Sequence, residues 1–307
     1  LSPKIGWALI EHLDQRDARL RSAIARALGR FNDGRMIGDL RNLVTNDDLP
    51  LRLREAAVEA LGWQRSKQAA TILIELTQPQ QPQPLREQAF EALGLLTGRD
   101  DLGTDRRAWL AWWRMMRRLP DEQWRGALIN NFVRRDQLQR EELAYAVSRL
   151  VQSQQSLYRA AEPEQRPEMI ERMLDDPLEM IRLLGVDLAL ERLLDNQPIP
   201  SALLERLRES LTDSSQTVRG RAALLLRDLN DSQAADAIAR QLADESVTQM
   251  QTLQAYLRVM AKLPRHAAVT PALDLVRQPK LRADAAAALA ASADQGLLEP
   301  EEKRAAA

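Results

Sequence analysis

The sequence predicts an all-α protein, an α-α superhelix in which helical hairpins stack on one another. Three observations indicate this fold class. An apolar pattern recurs three times in the first hundred positions, with spacings of 33 and 32 residues. Aromatic residues make up only 4% of the chain, so the core must consist mainly of Leu, Ala, Ile and Val. The whole chain has 12 Gly, whereas a β-protein needs more aromatic residues and more turn glycines.

The recurring pattern is the second helix of each predicted hairpin. It reads Leu20-Arg-Ser-Ala-Ile-Ala-Arg-Ala-Leu28-Gly29 and returns at Leu53 to Gly62 and at Leu85 to Gly94. Its apolar residues fall at i, i+3, i+4, i+7 and i+8, which places them in one stripe along an α-helix. We expect each copy to end at its Gly in the left-handed conformation.

An amphipathic stretch before each copy predicts the first helix of the hairpin. Two such stretches are Met36 to Thr45 and Lys67 to Thr77, and polar or Pro-rich turns follow them at Asn46-Asp47-Asp48 and at Gln78 to Pro84. One hairpin cannot bury its apolar face alone. Stacked hairpins share a continuous core, which is the physical reason for the repetition.

Weaker copies of the pattern return in the second half of the chain. They lie at Ile181 to Leu190, Val218 to Leu226, Val247 to Tyr256 and Leu281 to Leu289. The pattern opens with an apolar-Arg pair, has a small-small centre in some copies, as at Ala56-Ala57 and Ala222-Ala223, and closes with Leu. In these features the pattern resembles the HEAT family, particularly the short HEAT-like repeats of the bilin-lyase type. The resemblance implies a HEAT-like solenoid, and such proteins are commonly adaptors.

An Asp six residues before the Arg at the start of a copy predicts a structural ladder. The pairs are Asp48 and Arg54, Asp176 and Arg182, and Asp213 and Arg219. Asp in the turn between two helices can cap the second helix, while the Arg of the same or a neighbouring copy can bond it. We interpret these residues as structural rather than functional.

The chain is predicted to have three parts. Residues 1–98 are N-terminal HEAT-like repeats, 99–166 are an irregular helical segment rich in Trp and Arg, and 167–307 are C-terminal repeats with a charged tail. The middle part lacks the repeat pattern but still predicts helices over Arg106 to Arg118, Glu122 to Arg134 and Glu141 to Ala160.

The middle part also contains the candidate partner-binding residues. Four of the six Trp, namely Trp109, Trp112, Trp113 and Trp124, fall within it, and the first three share one helix face. Nine Arg lie between positions 106 and 140, among them Arg114, Arg117 and Arg118, against three acidic residues. One interpretation is that the Trp face closes the first stack of repeats. The other is that Trp and Arg are exposed as a hot spot for a protein partner.

A nucleic-acid function is the alternative hypothesis. The middle part is similar to the HEAT-like DNA glycosylases in having Trp109, Trp112 and Trp113 beside Asp105 and an Arg cluster, which implies a basic groove for duplex DNA. However, 43 basic and 44 acidic residues give a net charge of -1, so nucleic acid is an unlikely partner. A bilin-lyase function shares the short repeat, but no residue argues for it.

Catalytic and metal-binding patterns are sparse. The chain has no Cys and only two His, His12 and His266, which lie in different repeats. Phosphate-binding Gly loops and known nucleophile motifs do not occur. We therefore expect a non-enzymatic scaffold with no cofactor and no metal, no membrane span, and a protein partner. The location is left open between the cytoplasm and, if an N-terminal signal was removed, the periplasm.

Overall fold

A computed structural model describes residues 3–15, 17–29, 34–243 and 247–302. In these residues the secondary structure is entirely helical, with sixteen α-helices and three short 3-10 helices. The predicted all-α fold class is therefore confirmed. The last five residues of the predicted charged tail, 303–307, lie outside the described part of the chain.

The helices pair into consecutive hairpins along the chain. Each predicted repeat copy lies in the second helix of a hairpin, as Leu53 to Gly62 does in α4. The bounds are α1 Pro3–Glu11, α2 Ala18–Leu28, α3 Gly34–Thr45, α4 Leu51–Trp63, α5 Lys67–Leu76, α6 Gln83–Thr97, α7 Arg106–Met116, α8 Asp121–Ala160, α9 Arg166–Leu174, α10 Glu179–Leu194, α11 Ser201–Glu209, α12 Gln216–Asp228, α13 Ser232–Leu242, α14 Met250–Lys262, α15 Val269–Leu275 and α16 Arg282–Asp294.

The chain divides into two compact units, Leu1–Leu143 and Ala144–Ala307, called unit 1 and unit 2. Each unit has its own apolar core built from the inward stripes of its hairpins. In unit 1 the core includes Leu61 of α4 and Leu93 of α6, and in unit 2 it includes Leu226 of α12. Burial of these stripes between stacked hairpins stabilises each unit. The predicted boundaries near residues 98 and 166 stay a prediction.

One long helix replaces two predicted ones. The sequence predicts separate helices over Glu122 to Arg134 and Glu141 to Ala160, but α8 runs unbroken from Asp121 to Ala160. The six residues between the two predicted helices contain neither Gly nor Pro. Asp136 and Arg140 in this stretch form an i,i+4 ion pair of 2.8 Å, which favours a continuous helix.

The glycines that close the repeat copies do not end their helices in the left-handed conformation, so that expectation is wrong. Gly29 has a φ of -62°, while Gly62 and Gly94 lie inside α4 and α6. Their role is close packing of neighbouring elements. A Cβ on Gly62 would lie 3.0 Å from the Ala92 Cα in the next hairpin, and one on Gly29 would lie 2.2 Å from the Trp63 Cβ. The left-handed residue that ends α6 is Gly98, with a φ of +71°.

Candidate partner-binding surface

The four Trp residues singled out from the sequence are buried in unit 1. Trp109, Trp112, Trp113 and Trp124 have exposed fractions between 1% and 6%. Three of them come from α7 and the fourth from the first turn of α8, so together they join these two helices to the core of unit 1. This burial favours the first interpretation, in which the rings close the first stack of repeats. We call these residues the Trp cluster.

The rings of the Trp cluster pack mainly against one another. Trp112 contacts Trp109 with ring centroids 5.6 Å apart, Trp113 at 6.1 Å and Trp124 at 5.9 Å. Trp113 and Trp124 meet edge to face at 5.7 Å. Such offset and edge-on contacts are the favourable arrangements for aromatic rings. The cluster therefore forms a rigid support beneath α7.

Local hydrogen bonds fix the start of α7. The Asp105 carboxylate accepts hydrogen bonds from the backbone N–H groups of Arg107 at 2.8 Å and Ala108 at 3.1 Å, so it caps the helix. Trp109 Nε1 donates to the carbonyl oxygen of Gly103 at 2.9 Å. Asp105 therefore serves as a helix cap and the Trp faces are covered. This geometry does not give these residues the base-handling role that the nucleic-acid hypothesis requires.

Exposed cations lie at the C-terminal end of α7 and in the turn that follows it. Arg114, Arg117 and Arg118 are exposed beside Met115, whose exposed fraction is 61%. In the described part of the chain no carboxylate lies within ion-pair distance of these three guanidinium groups. We call Arg114, Met115, Arg117 and Arg118 the Arg face. It is the exposed part of the site that the sequence predicted.

Other Arg residues of the middle part of the chain are paired with the segment that precedes α7. Arg99 forms two hydrogen bonds with the Asp101 carboxylate at 2.7 and 2.8 Å, and Arg134 of α8 lies 3.4 Å from the same carboxylate. The hydrogen bonds from Arg99 hold the pKa of Asp101 below its ordinary value. Arg135 pairs with Asp100 at 2.7 Å. These contacts tie α8 to the segment before α7. Arg99, Arg134 and Arg135 are therefore already paired, unlike the cations of the Arg face.

The predicted Asp–Arg ladder is most complete in unit 2. Arg182 of α10 donates to the Asp213 carboxylate in the next hairpin from Nε at 2.7 Å and from Nη2 at 2.9 Å. The same Arg donates from Nη1 to the backbone carbonyl oxygen of Asp176 at 2.9 Å. Asp176 Oδ1 in turn accepts from the backbone N–H of Leu178 at 2.8 Å, just before α10 begins. Arg182 therefore links its own turn to the turn of the next hairpin.

Two other predicted pairs differ from the expectation. Arg54 pairs with Asp47 at 2.8 Å instead of with Asp48, whose backbone N–H donates to the Asn46 side chain in the same turn. Arg219 donates to the backbone carbonyl oxygen of Asp213 at 2.6 Å and not to its carboxylate, which Arg182 occupies. The shared feature of these Arg residues is contact with the turn of their own hairpin.

The two His residues are both exposed and lie in different units. His266 Nε2 lies 3.9 Å from a Glu302 carboxylate oxygen. Among the residues that the structure describes, no group of three or more His, Cys, Asp and Glu side chains is placed to hold a metal ion. None of the described helices combines the length and the apolar character needed to cross a membrane.

The comparison with protein families agrees with the repeat geometry. The family model described as HEAT repeats matches residues 8–94, which cover the first three hairpins of unit 1. These residues are HEAT repeats. The stacked hairpins in this part of the chain are thus of the HEAT-repeat type. No curated protein sequence matches this chain.

Solved structures of other proteins align weakly with this chain. Human deoxyhypusine hydroxylase in complex with glycerol is 16% identical with a TM-score of 0.33, over 96% of this chain and 86% of that one. An engineered protein is 15% identical with a TM-score of 0.35, over 98% and 80%. The complex of CpcE and CpcF of phycocyanin lyase from Nostoc sp. is 14% identical with a TM-score of 0.27, over 99% and 92%. Because all three TM-scores are below 0.5, these likenesses say nothing about the function of this chain.

Proposed function

We propose that this chain is a non-enzymatic scaffold that binds a protein partner through the Arg face of α7. The observation that carries the proposal is the contrast between the two sides of this helix. One side is fixed by the buried Trp cluster, whereas Arg114 and Met115 are exposed in the last turn, and the exposed Arg117 and Arg118 follow directly after it. Arg and Met are enriched in protein interfaces, and rigid support lowers the entropy lost on binding.

The partner surface that fits the Arg face is acidic with an apolar centre. The three guanidinium groups have no carboxylate partner among the described residues, so they are available for bidentate bonds to carboxylates. Met115 offers an adaptable apolar contact between them. A partner with carboxylates around an apolar residue would satisfy both features.

Site-specific crosslinking tests the proposal. A photoreactive amino acid is placed at Met115 of the full chain, and the protein crosslinked in cells of the source organism is identified and purified. Its affinity is then measured by calorimetry for the wild type and for the double variant Arg114→Glu/Arg118→Glu. We expect the double variant to weaken binding by at least about tenfold, because two attractive contacts become repulsive.

A matched double variant controls for the general effect of charge. Arg159→Glu/Arg240→Glu changes two exposed Arg residues that also lie near helix C-termini, but in unit 2. This control should retain the wild-type affinity. Equal affinity of all three proteins would overturn the Arg face as the binding surface. The protein-partner function would be overturned if the wild type and the control bound duplex DNA tightly at about 50 mM salt and the variant Arg114→Glu/Arg118→Glu did not.

A further inference from the structure

A cavity of about 580 Å³ lies in unit 1, at the ends of α2 and α4 and beside α8. Its apolar lining comes mainly from Trp63 at the end of α4 and from Ile129 and Phe132 of α8. The volume is within the range of cavities that hold a ligand or a large side chain. None of these residues belongs to the Trp cluster or the Arg face, and we call this site the edge cavity.

Close packing and a hydrogen bond hold the wall of the edge cavity that α2 and α4 form. Trp63 approaches Gly29 so closely that a Cβ at position 29 would lie 2.2 Å from the Trp63 Cβ. The buried Gln64 side chain donates from Nε2 to the carbonyl oxygen of Leu28 at 2.5 Å, which satisfies a carbonyl group at the end of α2. The two helix ends are therefore locked together beneath the cavity.

The opposite wall, on α8, is fixed by contacts on both sides of the cavity. Asn131 Nδ2 donates to the carbonyl oxygen of Thr97 at the end of α6, at 3.1 Å. At the start of α8, Lys67 of α5 donates to the carbonyl oxygen of Leu119 at 2.5 Å and to the Asp121 carboxylate at 2.7 Å. Both walls are thus held by hydrogen bonds, and the cavity exists before any ligand binds.

Among the described residues, three Arg and no carboxylate line the edge cavity. The Arg26 Cζ lies 5.2 Å from the centroid of the Trp63 ring, and the Arg65 Cζ lies 4.6 Å from that of Phe132. Arg125 is the third cation. All three are exposed, and within the described ranges none of them forms an ion pair. The site therefore combines an apolar lining with a positive rim.

The apolar surface continues outside the edge cavity. Ile129 and Val133 are one helical turn apart on α8, and each has an exposed fraction of 61%. A ligand that fills only the cavity would leave Val133 in water. Continuity along α8 therefore indicates an extended ligand rather than a small molecule.

We propose that the edge cavity binds an acidic segment of a protein partner, with one bulky apolar side chain in the cavity and flanking carboxylates on the Arg rim. This inference rests on the proposed scaffold function but concerns a different surface from the Arg face. Guanidinium groups already lie over the Trp63 and Phe132 rings, which disfavours base stacking by a nucleic acid.

Fluorine NMR of the full chain labelled with fluorotryptophan tests this inference directly. All six Trp residues give resonances, and a Trp63→Phe sample identifies the one from Trp63. The probe is the peptide Glu-Glu-Phe-Glu-Glu, blocked at both ends. It should shift the Trp63 resonance in a saturable manner and leave those of the Trp cluster unchanged. The blocked peptides Glu-Glu-Ser-Glu-Glu and Gln-Gln-Phe-Gln-Gln should each bind at least about tenfold more weakly.

Two variants and a control identify the residues responsible. Ile129→Glu places a negative charge at the cavity mouth on an exposed position, and Arg65→Gln removes one rim cation. Each should weaken binding of the acidic Phe peptide by about fivefold or more. Arg117→Gln removes a cation of the Arg face and should leave peptide binding unchanged.

Three outcomes would overturn the inference. One is the absence of a saturable Trp63 shift at millimolar peptide. The second is equal binding of the Phe and Ser peptides, and the third is a Trp63 shift produced by naphthoate or a single-stranded oligonucleotide but not by the peptide. None of these outcomes by itself overturns the scaffold function. That function is still supported if a partner crosslinks at Met115 and binds the variant Arg114→Glu/Arg118→Glu more weakly than the wild type.

Discussion

Arg182 and Asp213 join two consecutive hairpins of unit 2 through a bidentate ion pair, with N–O distances of 2.7 and 2.9 Å. Their side chains are only 12% and 9% exposed. The Asp213 carboxylate also accepts a hydrogen bond from the backbone N–H of Ser215 at 2.7 Å, in the turn before α12. One residue pair thus fixes both the turn of a hairpin and its stacking on the preceding hairpin.

Asp213→Asn should destabilise unit 2. The amide keeps an acceptor oxygen but loses the charge and one of the two bonds to the largely buried guanidinium. We expect the free energy of unfolding to fall by about 1.5 to 3 kcal/mol, as for hydrogen bonds to charged groups. Urea denaturation followed by circular dichroism measures this change.

The control for this variant is a pair of the same kind in an exposed position. Asp187 and Arg221 lie 3.2 Å apart across two hairpins, and both side chains are more than half exposed. Asp187→Asn should change the free energy of unfolding by less than about 1 kcal/mol. Equal effects of the two substitutions would contradict the role assigned to Asp213.

The stability that Asp213 contributes should depend on pH. Burial alone would raise the pKa of this carboxyl group, but the hydrogen bonds from Arg182 and the Ser215 N–H outweigh burial and lower the pKa. A lowered pKa in the folded state means that the stabilisation is complete above the unfolded pKa of about 4 and is lost as pH falls through the folded value.

Urea denaturation at a series of pH values checks this dependence. The difference in unfolding free energy between the wild type and Asp213→Asn should be constant near neutral pH and shrink below about pH 4. A difference that grows as the solution becomes more acidic would have the wrong sign and would exclude the ion pair as its cause.

Much of the fold followed from local sequence pattern. The hairpins of unit 1 were predicted because the spacing of residues such as Leu53 and Leu61 specifies one helix face without reference to the rest of the chain. The continuous α8 was not predicted. The stretch between the two predicted helices contains neither Gly nor Pro, and its one capping-type residue, Asp136, forms an ion pair with Arg140 within the same helix.

The candidate sites were less predictable because they depend on distant contacts. The sequence placed Trp109, Trp112 and Trp113 on one face of a helix, but only packing against Trp124 and the preceding hairpins buries that face. The edge cavity was not predicted at all. Trp63 and Phe132 are far apart in sequence, and the one available signal was that both are aromatic in a chain with few aromatic residues.

Gly62→Ala should destabilise unit 1 through overpacking. A Cβ at this position would lie 3.0 Å from both the Cα and the carbonyl oxygen of Ala92, and backbone atoms cannot move aside cheaply. We expect a loss of about 1 to 3 kcal/mol in the free energy of unfolding. Trp fluorescence is a suitable readout because all six Trp residues precede position 125 and therefore lie in unit 1.

The matched control is a helical glycine with free space around it. A Cβ on Gly38 in α3 meets no atom within 4 Å. Gly38→Ala should therefore stabilise unit 1 by about 0.5 to 1 kcal/mol, because Ala favours the helix more than Gly does. Opposite signs for these two identical substitutions are the expected result. Destabilisation by both would mean that the loss at Gly62 does not come from contact with α6.

Substitutions on the two sides of α7 should separate support from binding. Trp112 contacts the other three rings of the Trp cluster, so Trp112→Ala should lower the free energy of unfolding by about 3 to 5 kcal/mol. Arg114→Glu/Arg118→Glu alters only exposed groups and should cost less than about 1 kcal/mol. Urea denaturation followed by circular dichroism compares the two proteins with the wild type. If the double Arg variant were as unstable as Trp112→Ala, any loss of partner affinity could be attributed to unfolding, and the Arg face would no longer be separable from the core that supports it.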